Sequence, residues 1–188
     1  EQAGLLERVG VDIHPNPDAP GTPYAGIQFA GLGLLTNLPF DIAYQAAVDY
    51  TEVLSSRKAG MGFMKTMLLQ RICSSFASGR STAEKLLRKE ILEEEDQANL
   101  VAEASADYTP DEERHLRTII DELSRPEARD PKLEAVRNFI TQYQTEGKTW
   151  LEHGCIVFSQ YYDTAYWVGS ELAKILPEEP VAIYAGSG

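Results

Sequence analysis

Cys155-Ile156-Val157-Phe158-Ser159-Gln160, answered further on by Val181-Ala182-Ile183-Tyr184, is the stretch that decides how this chain is read. The first run is continuously apolar between Gly154 and Ser159, which is how a strand buried on both faces reads. From Asp163 to Leu176, Ala165, Val168, Leu172 and Ile175 recur at helical spacing. Residues 177–180, with a Pro at each end, form a turn, and the second apolar run closes on Gly186-Ser187-Gly188. Strand, helix and strand within about 35 residues predict a parallel crossover. Two strands and one helix cannot cover both faces of a sheet, so the expectation is a domain that continues past residue 188. The start at Glu1-Gln2-Ala3, without Met, points to a piece of a longer polypeptide or a trimmed end.

Upstream, the periodicity is helical. Pro39 opens a helix to about Arg57, with Ile42, Ala46, Tyr50 and Val53 on one side. Ala59-Gly60 breaks it, and a second helix is expected over 61–77. There Met61, Met64, Leu68, Ile72 and Phe76 form a stripe that reads as core packing rather than a ligand groove. Ser81-Thr82-Ala83-Glu84 has the capping-box pattern of a third helix start, with Leu86, Leu87, Ile91 and Leu92 on its apolar face. Acids at 93–96 oppose the helix dipole, so a frayed end or loop is expected over 96–108. Thr109-Pro110 begins a fourth helix, with Leu116, Ile119, Ile120 and Leu123 inward. Asp130-Pro131 begins a fifth, with Leu133, Val136, Phe139, Ile140 and Tyr143 inward, ending near Gly147. Before all of these, prolines make 12–23 a loop. Residues 24–38 read as a strand plus a turn, with Gly31 and Gly33 as turn residues.

Composition sets bounds on function. The 188 residues suffice for one or two small domains. No apolar run approaches the roughly 18–20 residues of a membrane span, and the opening Glu1-Gln2-Ala3 has neither the basic nor the apolar region of a signal peptide, so none is expected. With two cysteines and no disulfide framework, a reducing cytoplasmic compartment is the expectation. Cys73 and Cys155 lie in separate apolar runs and read as small reduced hydrophobes, while His14, His115 and His153 share no metal-binding spacing. A net charge of -12 argues against a general nucleic-acid-coating protein. The charge is uneven, however. Residues 53–83 hold Arg57, Lys58, Lys65, Arg71 and Arg80 and no acid, whereas 84–127 hold fourteen acids against six bases. This is either a polarised surface or two solvated helix faces of opposite sign.

Three pieces in order resemble the SNF2 family of helicase-like ATPases. Asp130-Pro131-Lys132-Leu133-Glu134 resembles the segment leading into that family's second RecA-like lobe. Cys155 to Gln160 is similar to its fourth motif, an apolar strand followed by Phe-Ser-Gln, and Val181 to Ser187 is similar to the next strand and its Gly-Ser turn. The RapA-like bacterial branch looks similar over the same stretch. Leu68-Leu69-Gln70-Arg71-Ile72 with Ser74-Ser75-Phe76 resembles, more weakly, the linking helices of prokaryotic members.

The resemblance implies a mainly α chain with a C-terminal α/β part. Residues 1–38 would be a loop-rich segment, 39–147 a helical inter-lobe region, and 148–188 the truncated start of the second RecA-like lobe. It implies that the whole protein is an ATP-dependent helicase or translocase using ATP and magnesium. Its partner would be nucleic acid, duplex DNA first, with RNA or an RNA polymerase complex as alternatives. Ser159, Gln160, Gly186 and Ser187 would touch the phosphate backbone, because ligands of α/β sheets sit at the carboxyl ends of strands. Lys65 and Arg71 are secondary candidates. Six residues apart, they lie about 120° from each other around a helix and cannot both face one strand. The local alternative for Ser159 and Gln160 is that they merely end a strand and start a helix.

No phosphate loop of the Gly-x-x-x-x-Gly-Lys-Ser/Thr type and no Asp-Glu-x-His box occurs, and the arginine-bearing final motif is expected beyond residue 188. The chain alone is therefore expected to bind no cofactor and hydrolyse no ATP. Two other classes compete: residues 39–147 as a helical protein-interaction module, and a small α/β nucleotide-binding enzyme. The latter lacks a phosphate-binding glycine loop after Phe158.

Overall fold

The computed structural model describes residues 6–11, 29–90 and 107–184. The chain divides into two compact units, Glu1–Thr36 and Asn37–Gly188. In the first, β1 (Leu6–Val11) pairs antiparallel with β2 (Phe29–Leu34), Leu6 opposite Leu34 and Val11 opposite Phe29. Gly31 and Gly33 lie within β2, opposite Val9 and Glu7, not in a turn. A ladder partner remote in sequence overrides the local preference of glycine. The loop expected over 12–23 lies outside the described residues.

The second unit is mainly helical. Helix α1 (Leu38–Arg57) starts where the Asn37 side chain accepts the Phe40 N–H. It packs against α2 (Gly62–Ser74) and α4 (Pro110–Leu123), and α3 (Phe76–Leu87) packs in turn against both of those. Their shared core contains Ala43, Ala47, Tyr50 and Leu54 from α1, Met64, Leu68 and Ile72 from α2, Ala83 and Leu86 from α3, and Leu116 and Ile119 from α4. The methionine stripe is thus core. Gly60, at φ +84°, turns the chain between α1 and α2 in a conformation that L side chains rarely adopt.

The single helix expected over 61–77 is two. Ser75 is extended (φ -162°, ψ 159°), and its hydroxyl accepts the Ser78 N–H, so α3 begins at Phe76. Ser81, expected as a cap, sits inside α3. The cap falls at Ser75 instead, whose hydroxyl also bonds Thr164, a contact remote in sequence. The helix start expected at Thr109 forms, and the capping box is found here rather than at Ser81: the Thr109 hydroxyl accepts the Glu112 N–H, and the Glu112 carboxylate accepts the Thr109 N–H. The loop expected over 96–108 falls mostly outside the described residues, as do Ile91 and Leu92.

Helix α5 (Pro131–Thr141) starts at Asp130 as expected but stops short of Gly147, and only Ile140 on it is buried. Gln144–Thr145 (β3) and Lys148–Thr149 (β4) form a small hairpin instead. Glu146 and Gly147 both have positive φ, as a two-residue primed turn requires. A short helix, α6 (Trp150–His153), follows; Phe139 stacks on Trp150, and Tyr143 meets both rings edge to face and stays exposed. Helix α7 (Tyr162–Ile175) buries Thr164, Gly169 and Leu172, while Ile175 is exposed rather than inward.

The parallel strand pair is not formed. Residues 155–158 and 181–184 carry no ladder, and the side chains expected to be buried stand open: Ile156 is 78%, Phe158 89% and Tyr184 96% exposed. An apolar run becomes a strand only where neighbours accept its backbone bonds and cover its faces, and the described residues supply neither. The return of the chain onto the helix does occur. Ile183 seats against Gly169 so closely that a Cβ there would lie 2.7 Å from Ile183 Cγ1. Cys73 and Cys155 are likewise exposed, not buried in their apolar runs.

Candidate nucleic-acid interface

The α2–α3 junction and the start of α7 are joined by polar contacts. The Thr164 hydroxyl, buried, shares hydrogen bonds with Ser74 Oγ at 2.8 Å and Ser75 Oγ at 2.9 Å. Ser81 Oγ donates to Asp163 Oδ2, and Lys85 Nζ approaches the same oxygen at 3.9 Å. The Tyr161 hydroxyl donates to Gln70 Oε1 at 3.2 Å. Its ring lies under the Arg71 guanidinium, whose carbon is 3.9 Å from the ring centre.

A second tie enters the same junction from α5. Asp130 caps that helix through Oδ1, which accepts the Lys132 and Leu133 N–H groups. Its other oxygen accepts the Phe76 N–H at 2.7 Å, so one carboxylate closes the first turns of two helices. Burial pushes the Asp130 carboxyl above the ordinary value, against the pull of these three N–H donors and of Lys132.

Ser159 and Gln160 are exposed, beside the base of α7. Ser159 Oγ accepts the Tyr161 N–H and donates to the Tyr161 carbonyl, so this hydroxyl shapes its own turn. Gln160 has no hydrogen-bond partner among the described residues. Lys65 is exposed on α2 and forms no ion pair among the described residues. Arg71 is only 7% exposed and stacked on Tyr161. Gly186 and Ser187 lie outside the described residues.

The basic stretch is largely spent on structure. Arg57 holds the buried carboxylate of Glu112, and Arg80 leans toward Glu84 on its own helix. Sequence reasoning missed Tyr161, Thr164 and Asp130 as organisers of this region. The Asp-Pro helix start was a signal for Asp130, but its reach back to Phe76 had none.

Among the described residues no group of three potential metal ligands comes together, and no helix is long and apolar enough to cross a membrane. Comparison with protein-family models, curated proteins and solved structures returned no match.

Proposed function

We propose that this chain is part of an SNF2-type ATP-dependent nucleic-acid translocase, its helical unit joining the motor lobes and residues 148–188 opening the second, RecA-like lobe. One observation carries the reading. The two segments flanking α7 that the family resemblance makes strands are those whose apolar side chains stand exposed, while Ile183 already packs on Gly169 as a returning strand packs on its helix. A neighbouring sheet would give these side chains a place and their backbone a ladder. The exposed Ser159-Gln160 loop then lies at the carboxyl end of the first strand, where nucleic acid would be held by its backbone without sequence readout. Lys65 is the better cation for that role, because Arg71 is buried against Tyr161.

ATP and magnesium belong, in this reading, to parts of the motor bearing a phosphate loop. This chain has neither the phosphate loop nor the acidic box that would hold them. The parent acts on nucleic acid, duplex DNA before RNA or a polymerase complex, in the cytoplasm. The reading of 39–147 as a separate interaction module is less well supported, because Ser74, Ser75, Ser81 and Lys85 direct their polar groups to α7.

Fluorescence anisotropy of a short labelled DNA duplex, titrated with the chain at rising salt, tests the nucleic-acid role. The expected result is weak binding that falls with salt, with Lys65→Gln reducing the slope by about one. Absence of binding at low salt, or binding indifferent to salt, would count against this role.

A further inference from the structure

We propose that Arg71 acts on the Ser159-Gln160 loop as a positioning residue, holding it through Tyr161, and does not itself contact phosphate. This inference rests on the nucleic-acid reading above and assigns how the loop is held. A phosphate-binding arginine presents its guanidinium to solvent. Arg71 is only 7% exposed, and its guanidinium covers the Tyr161 ring at 3.9 Å.

Tyr161 is bound at three further points. Its hydroxyl donates to Gln70, its N–H donates to Ser159 Oγ, and its carbonyl accepts both Ser159 Oγ–H and the Ala165 N–H. Gln160 lies between Ser159 and Tyr161, so its backbone is fixed from both sides. Adjacent side chains of one helix, Gln70 and Arg71, therefore grip one tyrosine by its rim and its face, and that tyrosine sets the turn on which Ser159 and Gln160 are displayed. Thr164, bonded to Ser74 and Ser75, repeats the attachment one turn further along α7. The arrangement makes α2 the support of the loop, so a shift of α2 would move the loop with it.

Hydrogen exchange and DNA binding on the full chain separate positioning from contact. In Arg71→Gln and in Tyr161→Ala, the Tyr161 and Ala165 amides should exchange about tenfold faster, while the Leu116 and Ile119 amides in the core keep their rates. Arg71→Lys should behave like Arg71→Gln, because lysine lacks the planar group that stacks. Lys65→Gln should leave the Tyr161 and Ala165 amides alone. With the labelled duplex, Arg71→Gln should weaken binding at an unchanged salt slope, while Lys65→Gln should lower the slope by about one. Unchanged amide rates in Arg71→Gln would overturn the proposal. So would a reduced salt slope in Arg71→Gln that Arg71→Lys restores, the signature of a phosphate contact. Faster amides in a chain whose wild type binds no DNA would leave the clamp but overturn its nucleic-acid role.

Discussion

Arg57, in the last turn of α1, grips the fully buried carboxylate of Glu112 on α4: Nη2 lies 3.0 Å from Oε1 and 2.9 Å from Oε2, and Nε lies 3.3 Å from Oε1. Glu112 also accepts the Thr109 N–H, so the same carboxylate closes the start of α4 and fastens it to α1. Loss of the arginine would strand a buried charge. Because the Arg57 side chain is 28% exposed, water can relieve part of that cost. Arg57→Met is expected to destabilise by about 2–3 kcal/mol, below the 3–5 of breaking a fully buried pair. Urea unfolding followed by circular dichroism measures it, and a loss under about 0.5 kcal/mol, the range of exposed pairs, would contradict the geometry.

Gly79 lies in α3 where it crosses α2. A Cβ there would stand 2.9 Å from Ile72 Cα, 2.8 Å from Ile72 Cγ1 and 3.0 Å from Leu123 Cδ1. Alanine would gain about 1 kcal/mol of helix propensity at an open site. Here the nearest atoms include backbone that cannot swing away, so Gly79→Ala is expected to destabilise by about 1–3 kcal/mol net. A thermal melt showing a higher midpoint than wild type would mean that the two helices are not this close.

Asp130 gives a pH signature. Its carboxyl is raised by burial, so the native state holds the proton more tightly than the unfolded chain. Its contribution to stability is therefore greatest below the ordinary aspartate value of 3.8 and declines as pH rises from there through the raised folded value. Asp130→Asn removes this decline. It also replaces an acceptor of the Phe76, Lys132 and Leu133 N–H groups, at an expected cost of about 1–3 kcal/mol at neutral pH. Chemical unfolding of both proteins across this pH range checks the two effects together: the difference between them should narrow as pH rises through the window.

The helical unit was largely legible, for physical reasons that can be named. The Pro39, Thr109 and Asp130 starts carry local caps, and the stripe from Met64 to Ile72 repeats at helical spacing, so short-range signals suffice. What failed was decided at long range. The α2–α3 break depends on Ser75, whose hydroxyl meets Thr164 eighty-nine positions away. The residues at 155–158 and 181–184 have strand composition, yet a strand exists only with its neighbours, which composition cannot supply. Of the candidate site, Ser159, Gln160 and Lys65 were placed on exposed surface. Arg71, a secondary contact candidate, is buried, and no local pattern signals that. Its partner Tyr161 lies ninety positions on.

In the proposed motor, the Ser159-Gln160 loop serves nucleic acid during ATP-driven movement. ATP hydrolysis by the full parent polypeptide, with and without duplex DNA, tests this most directly in the Gln160→Ala variant. Gln160 has no partner among the described residues, whereas Ser159 also shapes its turn. The expected result is DNA-stimulated hydrolysis in the wild type and a several-fold fall in the ratio of stimulated to basal rate in the variant. A parent that hydrolyses no ATP, or a ratio unchanged by Gln160→Ala, would contradict the account.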